Sequence, residues 1–486
     1  MRYDACVIGA GADGLAAAAT LARAGLKTVV VERGERAGGR CALREFHPGF
    51  RASPFCDELA PIPAEIFWSL DLARKGVVLV PAPTSLAMWT DRSHLLRLRR
   101  PSPEFRFLQQ AARRTDEARA RAGRDAEPPV RNALFARAPL PAPWPGEDWL
   151  TASLAESAAR AIADPDAAAH VMALALQGGA ADPFARGSAL HLLAPGHGGS
   201  GLVTSGLADA LMSAAREAGA EIACGAEVAD IKQAKGRVCA VGLADGSLVE
   251  TRAILSTLDL KHTFLSFFQW DALPKPVARR VADFRMAGST ARLLLALDQP
   301  PAFDAEALHG PIHVAPDPAR MAQAHAAWHG GIIPEHPPLS LRIVSASHPG
   351  LAPAGKAVLT ATLGCIPFRL FDGGWTQDKR DVLRGRALAA IESVLPGTTA
   401  RVIAAELIMP PDIEAALGAT DGDLWGGEIA ADQMFGLRPG FETACPRTPI
   451  AGLYLAGPSS AAGPLGTCAA GTIAARAIIA DLGQRK

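Results

Sequence analysis

At 486 residues and 49% hydrophobic side chains, the chain is long enough for two large domains or about three of ordinary size. A chain of this length buries about three-quarters of its unfolded surface. Lysine plus arginine and aspartate plus glutamate each total 49, so the formal net charge is zero and the basic excess that nucleic-acid binding needs is missing. Cysteines at 6, 41, 56, 224, 239, 365, 445 and 468 show no CxxC spacing, which argues against a dithiol redox centre or zinc site and suits a reducing cytoplasm. Met1 runs almost directly into an apolar strand, so no signal peptide is expected. No apolar run approaches the ~18 residues that span a bilayer.

The first predicted elements form one unit. Ala5–Ile8 is a short apolar strand, followed by Gly9-Ala10-Gly11-Ala12-Asp13-Gly14, an Ala/Leu-rich helix, Gly25, the apolar run Thr28–Val31 and Glu32. In a dinucleotide-binding βαβ unit each part has a mechanical task. Gly9 permits the turn out of the strand, Gly11 lets backbone approach a pyrophosphate, and Gly14 lets helix and strand pack closely. The helix N-terminus offers unpaired N–H groups and partial positive charge to the phosphates. Glu32 ends the second strand, where an acid accepts from ribose hydroxyls, and Arg33 stands beside it.

Gly38-Gly39-Arg40 then resembles the second phosphate-contacting turn of large FAD enzymes related to glutathione reductase, where a backbone nest and a basic side chain meet the pyrophosphate. With His47-Pro48-Gly49-Phe50-Arg51 the likeness extends to phytoene desaturases and carotenoid isomerases. The same segments also resemble those of the pyridine nucleotide-disulphide oxidoreductase domain-containing type. The resemblance implies an α/β fold, a glutathione-reductase-type FAD-binding Rossmann domain with a second, mixed α+β substrate domain.

Further along, Val77–Val80 and Leu86–Trp89 read as strands. Residues 91–190 read as a largely helical insertion, with Arg- and Glu-rich 101–131 as a solvated helix and linker. Gly196-His197-Gly198-Gly199-Ser200-Gly201 is a second literal GxGxxG before a helix expected over Leu202–Ala218. Pro195 spoils the preceding strand, however, and in the resembled family such a loop covers the flavin and substrate cavity. No bound pyridine nucleotide is expected there. Segments Glu221–Cys224, Val228–Gln233, Val238–Leu243, Leu248–Glu250 and Ala253–Thr257 read as strands, with Lys235-Gly236 and Asp245-Gly246 as turns. The resemblance places Val228 beside the adenine.

Ala291–Leu297 and Lys356–Leu363 read as strands of a second sheet, and Asp378–Val394 as a helix stopped by Pro396-Gly397. His325 and His329 share i,i+4 spacing but lack a third ligand, so they read as a surface pair and no metal is expected. The GG…DQ…RP block around Gly426, Asp432, Arg438 and Pro439 matches the resembled family. The tail, Gly452–Gly457, then Gly463–Thr467 and a small-residue helix over Cys468–Leu482, implies a second contact with the flavin through Gly457, Gly466 and Thr467. Its Ser459–Ala462 stretch departs from the family's richer glycine run.

These readings divide the chain into a discontinuous FAD-binding domain at 1–90, 191–285 and 431–486, and a substrate domain at 91–190 and 286–430. The implied activity is an FAD-dependent dehydrogenase or desaturase taking a hydride from an apolar or small organic substrate. Open alternatives are a redox-neutral flavin-dependent isomerase, an amine oxidase-like enzyme and a non-catalytic, flavin-stabilised binding protein. Only two tyrosines, Tyr3 and Tyr454, count against an amine cage of paired aromatics. His197, Asp432 and Arg438 are the foremost catalytic candidates, with His191, Glu428 and Glu442 as further proton acceptors. Oxygen, a quinone or a carrier protein remain open as electron acceptor. Apolar Ile62–Leu72 and Phe264–Trp270 leave a peripheral membrane contact open beside a cytoplasmic location.

Overall fold

The computed structural model describes residues 2–59, 62–77, 85–89, 94–98, 102, 107, 151–177, 179–193, 202–203, 206–269, 272–303, 309–434, 438–439, 446–460 and 467–483. Two seven-stranded sheets dominate them. The first runs in the order Val228–Ala234, Arg237–Leu243, Leu248–Ser256, Arg2–Ile8, Thr28–Glu32, Glu221–Cys224, with Leu453–Leu455 also parallel to Leu248–Ser256. Its middle strands are near-continuous apolar runs because helices cover one face and packed loops the other. The helices Ala12–Arg23, Leu207–Glu217 and Ala469–Gly483 bury Leu15, Leu21, Leu211, Ala474 and Ile478 on one face. Val29, Val31, Ile254, Phe264, Phe267 and Phe268 fill the other. Phe264, Phe267 and Phe268 are thus core, which withdraws them from a lipid-facing entrance.

The second sheet runs Val402–Ile408, Ala291–Leu297, Ala357–Leu363, Leu339–Ile343, Ile312–Val314, Ser85–Trp89, His94–Leu98. Strand alternation sorts its side chains into two faces. Leu293, Leu295, Leu297, Leu339, Leu341, Leu359 and Leu363 pack with Leu383, Ala387 and Ile391 of the long helix Gln377–Val394. The opposite face carries Arg292, Leu294, Ser340, Arg342, Thr360 and Thr362, in register across neighbouring strands.

Several expectations are corrected. Ser85–Trp89 does not stay with the nucleotide-binding part: it pairs in parallel with Ile312–Val314, so the chain enters the second sheet before the expected boundary at residue 90. His94–Leu98, inside the stretch read as helical, is a strand paired with Ser85–Trp89. The two strands expected over 248–257 are one, Leu248–Ser256: Leu248, Val249 and Glu250 pair with Arg237–Leu243, and from Glu250 to Ser256 the same strand pairs in parallel with Arg2–Ile8. The helix expected from Leu202 begins at Leu207, since Leu202–Val203 pair with Glu58–Leu59 and Gly206 takes a left-handed conformation. The described helices of 91–190 are Leu154–Ala161, with a complete Ser153/Glu156 capping box, and Pro165–Ala175. Val78–Val80, the expected helix and linker at 108–131 and the second GxGxxG lie outside the described residues.

The two ends of the first sheet's core meet at Gly471. A Cβ added there would fall 1.9 Å from the Asp13 carbonyl oxygen, so the C-terminal helix crosses the start of the first helix at backbone contact. Asp13 also accepts the Gly471 N–H at 2.9 Å. Gly471→Val is therefore expected to cost about 1–3 kcal/mol or more through overpacking, read as a lowered urea midpoint at unchanged m-value.

Candidate cofactor and active-site cleft

A cleft of about 400 Å³ runs from the Gly9–Gly14 loop along the first sheet to the polar face of the second. The backbone builds its first wall. Gly9 has φ +95°, and a Cβ there would lie 2.4 Å from Thr257 Oγ1. Gly14 is pressed onto Gly9, its would-be Cβ 2.0 Å from the Gly9 carbonyl oxygen. Gly11 is different: its conformation is ordinary, and a Cβ would meet nothing within 4 Å, because it points into the cleft. A loop that packs tightly at both flanking glycines and leaves open space over the middle one is the cradle a pyrophosphate fills. The N–H groups of the Ala12–Arg23 helix face the same space, with no side chain capping them.

Glu32 is fixed at the strand end: its carboxylate accepts the N–H of Ala10 at 2.7 Å and of Gly34 at 2.8 Å. Those two bonds leave carboxylate lone pairs for ribose hydroxyls. Ala226, Glu227 and Val228 lie next along the wall, tied to Glu32 by the Ala226 N–H donated to its carbonyl at 2.8 Å. Gly39 and Arg40 line the opposite side, where the Arg40 Nη1 donates to the Leu424 carbonyl at 2.8 Å. Arg33 is exposed at the rim and donates to the carbonyls of Ala415 and Ala416. Thr467 lines the cleft; Gly457 supports it from behind, its would-be Cβ 2.3 Å from the Thr257 carbonyl oxygen. Gly9, Gly11, Glu32, Arg33, Gly39, Arg40, Val228 and Thr467 are thus brought together, with Gly14 and Gly457 as packing points. Gly466 lies outside the described residues.

The catalytic candidates sit differently. Asp432 is exposed, held by a two-pronged ion pair with Arg285 at 2.7 and 2.9 Å that lowers its carboxyl below the usual range. Glu428 pairs with the same arginine, and neither acid is among the described residues that line the cleft. Ile429, Gln433 and Met434 of the same segment are buried, while the two acid side chains turn outward and pair with Arg285 at the surface. Arg438 is fully buried, and donates to the carbonyls of Trp425, Gly426, Gln433 and Pro458. Burial pushes its guanidinium down to about 10. It ties together the two segments that present Trp425 and Pro458 to the cleft, a positioning task at one remove from any substrate. His191 is buried outside the described lining, and His197 and Glu442 lie outside the described residues.

Residues that motif reading passed over occupy the far end. Arg292, 1% exposed, makes a bidentate pair with Asp57 (Nη1–Oδ2 2.8 Å, Nη2–Oδ1 2.5 Å) and also donates to Thr362 Oγ1. Its Nε has no hydrogen-bond partner. Gln177, Ser340, Arg342 and Thr362 complete that end. One signal was available: Arg292 stands alone in the apolar run ARLLLAL, and a buried charge is the informative exception in a core strand.

The fold is that of known oxidases. A wild-type putrescine oxidase with bound putrescine superposes with a TM-score of 0.61 over 99% of both chains, at 15% identity. A family model described as an NAD(P)-binding Rossmann-like domain matches residues 7–73. Homologues include the mouse pyridine nucleotide-disulfide oxidoreductase domain-containing protein 2, 27% identical over 99% of this chain and 94% of the mouse protein. The lycopene-forming phytoene desaturase of Pseudescherichia vulneris is 27% identical over 59% of this chain and 56% of its own. The resemblance carried by Gly38–Arg40 and the GG…DQ…RP block therefore extends over the whole chain in one relative and over more than half in the other.

Two measurements follow. Gly11→Val is expected to leave the melting temperature near the wild-type value while abolishing retention of FAD through gel filtration, because its side chain enters only the cleft. Asp13, pushed up to about 6 by burial, holds its proton more tightly folded than unfolded, so the stability it supports is full at low pH and is lost as pH rises towards 6. Asp13→Asn should flatten the pH dependence of the urea midpoint between the ordinary carboxyl range and pH 6.

Proposed function

We propose that the protein is an FAD-dependent oxidoreductase that takes a hydride from a small organic substrate at the Arg292–Asp57 end of the cleft. The observation that carries this is the single continuous cleft, which joins a dinucleotide cradle at Gly9–Glu32 to the buried Arg292–Asp57 pair. The homologues and the shared fold imply FAD as the cofactor. FAD, when bound, supplies the two-electron acceptor.

The chain's residues do the rest. The glycine loop and helix N-terminus would hold the pyrophosphate, Glu32 the ribose, and Ala226–Val228 the adenine edge. Arg40, strapped to Leu424, and Arg438, behind Trp425 and Pro458, set the width of the cleft where the ring system would lie. The buried, bidentate Arg292–Asp57 ion pair gives that end of the cleft a fixed dipole. A domain division with residues 2–59, 62–77, 206–269, 446–460 and 467–483 around the cofactor, and the second sheet around the substrate, fits this reading. The desaturase relatives favour an apolar small molecule; the lining at Arg292 favours a polar one. Among the described residues the cysteines are free, which fits a cytoplasmic setting, and no helix is long and apolar enough to cross a membrane.

The test is to load the full chain with FAD, record its visible spectrum and add candidate substrates without oxygen. Loss of the oxidised-flavin absorbance with formation of product is expected. Product without net loss would favour the isomerase, and a protein that cannot be loaded overturns the proposal.

A further inference from the structure

The second sheet carries a line of polar side chains where a core strand face would ordinarily be apolar. Arg292 pairs in register with Thr362, Thr362 with Ser340, and Ser340 with His313, so one residue from each of four consecutive strands stands in a row on one face. All but Thr362 are less than a tenth exposed by residue, and Thr362 forms part of the Arg292 hydrogen-bond set. At ordinary strand spacing the row is about 14 Å long. His170 packs against His313 with ring centroids 5.3 Å apart, and shares a 2.8 Å hydrogen bond with Ser85 through Nε2.

This row has a cavity at each end. Arg292, Thr362 and Ser340 line the cofactor cleft, while Thr362, Ser340 and His313 line a second cavity of about 490 Å³ that reaches Glu335 and His336. Gln177 lines both and donates to Ser340 Oγ at 3.4 Å, across the point where the two spaces meet. The two cavities therefore share a wall made of one amide and two hydroxyls. Each of these groups keeps donor or acceptor capacity beyond its bond to Gln177, Ser340 or Arg292, and a hydrocarbon chain lying there would leave that capacity unmet.

We propose that this row is a substrate track: the second cavity is the entrance, Gln177 and Ser340 form its inner door, and the substrate is a water-soluble molecule bearing several hydrogen-bonding groups. A long hydrocarbon would not satisfy the shared wall. The proposal rests on the reading that oxidation occurs at the Arg292 end, and adds the substrate's chemistry and its route.

The test needs no identified substrate. In the FAD-loaded full chain, Ser340→Cys is treated with the charged reagent sulfonatoethyl methanethiosulfonate and with its neutral ethyl analogue, and labelling of each peptide is followed by mass spectrometry. The introduced thiol is expected to react with the charged reagent roughly tenfold or more faster than native, buried Cys365 in the same molecule. Adding Gln177→Trp should slow it by a similar factor, and Thr362→Cys serves if the first variant does not fold. A thiol that reacts no faster than Cys365, or a strong preference for the ethyl reagent, overturns the track. Flavin content, read by absorbance on the same samples, reports separately on the cofactor assignment.

Discussion

Everything in this molecule hangs on how closely backbone passes backbone around residues 9–14. Side chains would hold the first strand, the first helix and the C-terminal helix apart. At Gly9, Gly14 and Gly471 there are none, and peptide groups come into direct contact. The contact gives the helix N-terminus its fixed aim, so that unpaired N–H groups face the cleft. It also gathers Asp13, Glu32 and Thr467, from three separate segments, around one space.

The second sheet answers a different demand. Its leucine face, packed on the Gln377–Val394 helix, supplies the stability of an ordinary core. The reverse face gives some of that stability up. Burying Arg292 with Asp57 is at best near break-even against an apolar pair of the same shape, because two charges lose their water. A fold retains such a pair for what it does, and here the pair closes one end of the cofactor cleft.

How much of this the sequence disclosed follows from the range of the interactions. The Gly9–Gly14 loop, Glu32 and the Gly39-Arg40 turn were legible because strand, glycines, helix and acid follow one another within a single unit. The Ala291–Leu297 strand was legible by its apolar run. The row Arg292, Thr362, Ser340 and His313 was not, since its members come from four separate strands and only register brings them together. Asp432 and Arg438 drew notice through a motif, but the structure uses them in a surface ion pair and a buried tether. Ser85–Trp89 joined the distant sheet because it found a parallel partner in Ile312–Val314, which no local pattern announces.

The hydrogen bond from Gly471 to Asp13 spans 458 positions of sequence. At ordinary synthesis speeds of about 5–20 residues per second, roughly 20–90 s separate the ribosome's delivery of one partner from delivery of the other. Through that interval the nascent first sheet carries an exposed small-residue helix face where the last helix will dock. The nucleotide pocket cannot be complete while the chain is being made. The part of the cleft wall that Thr467 supplies is therefore the last to be laid down.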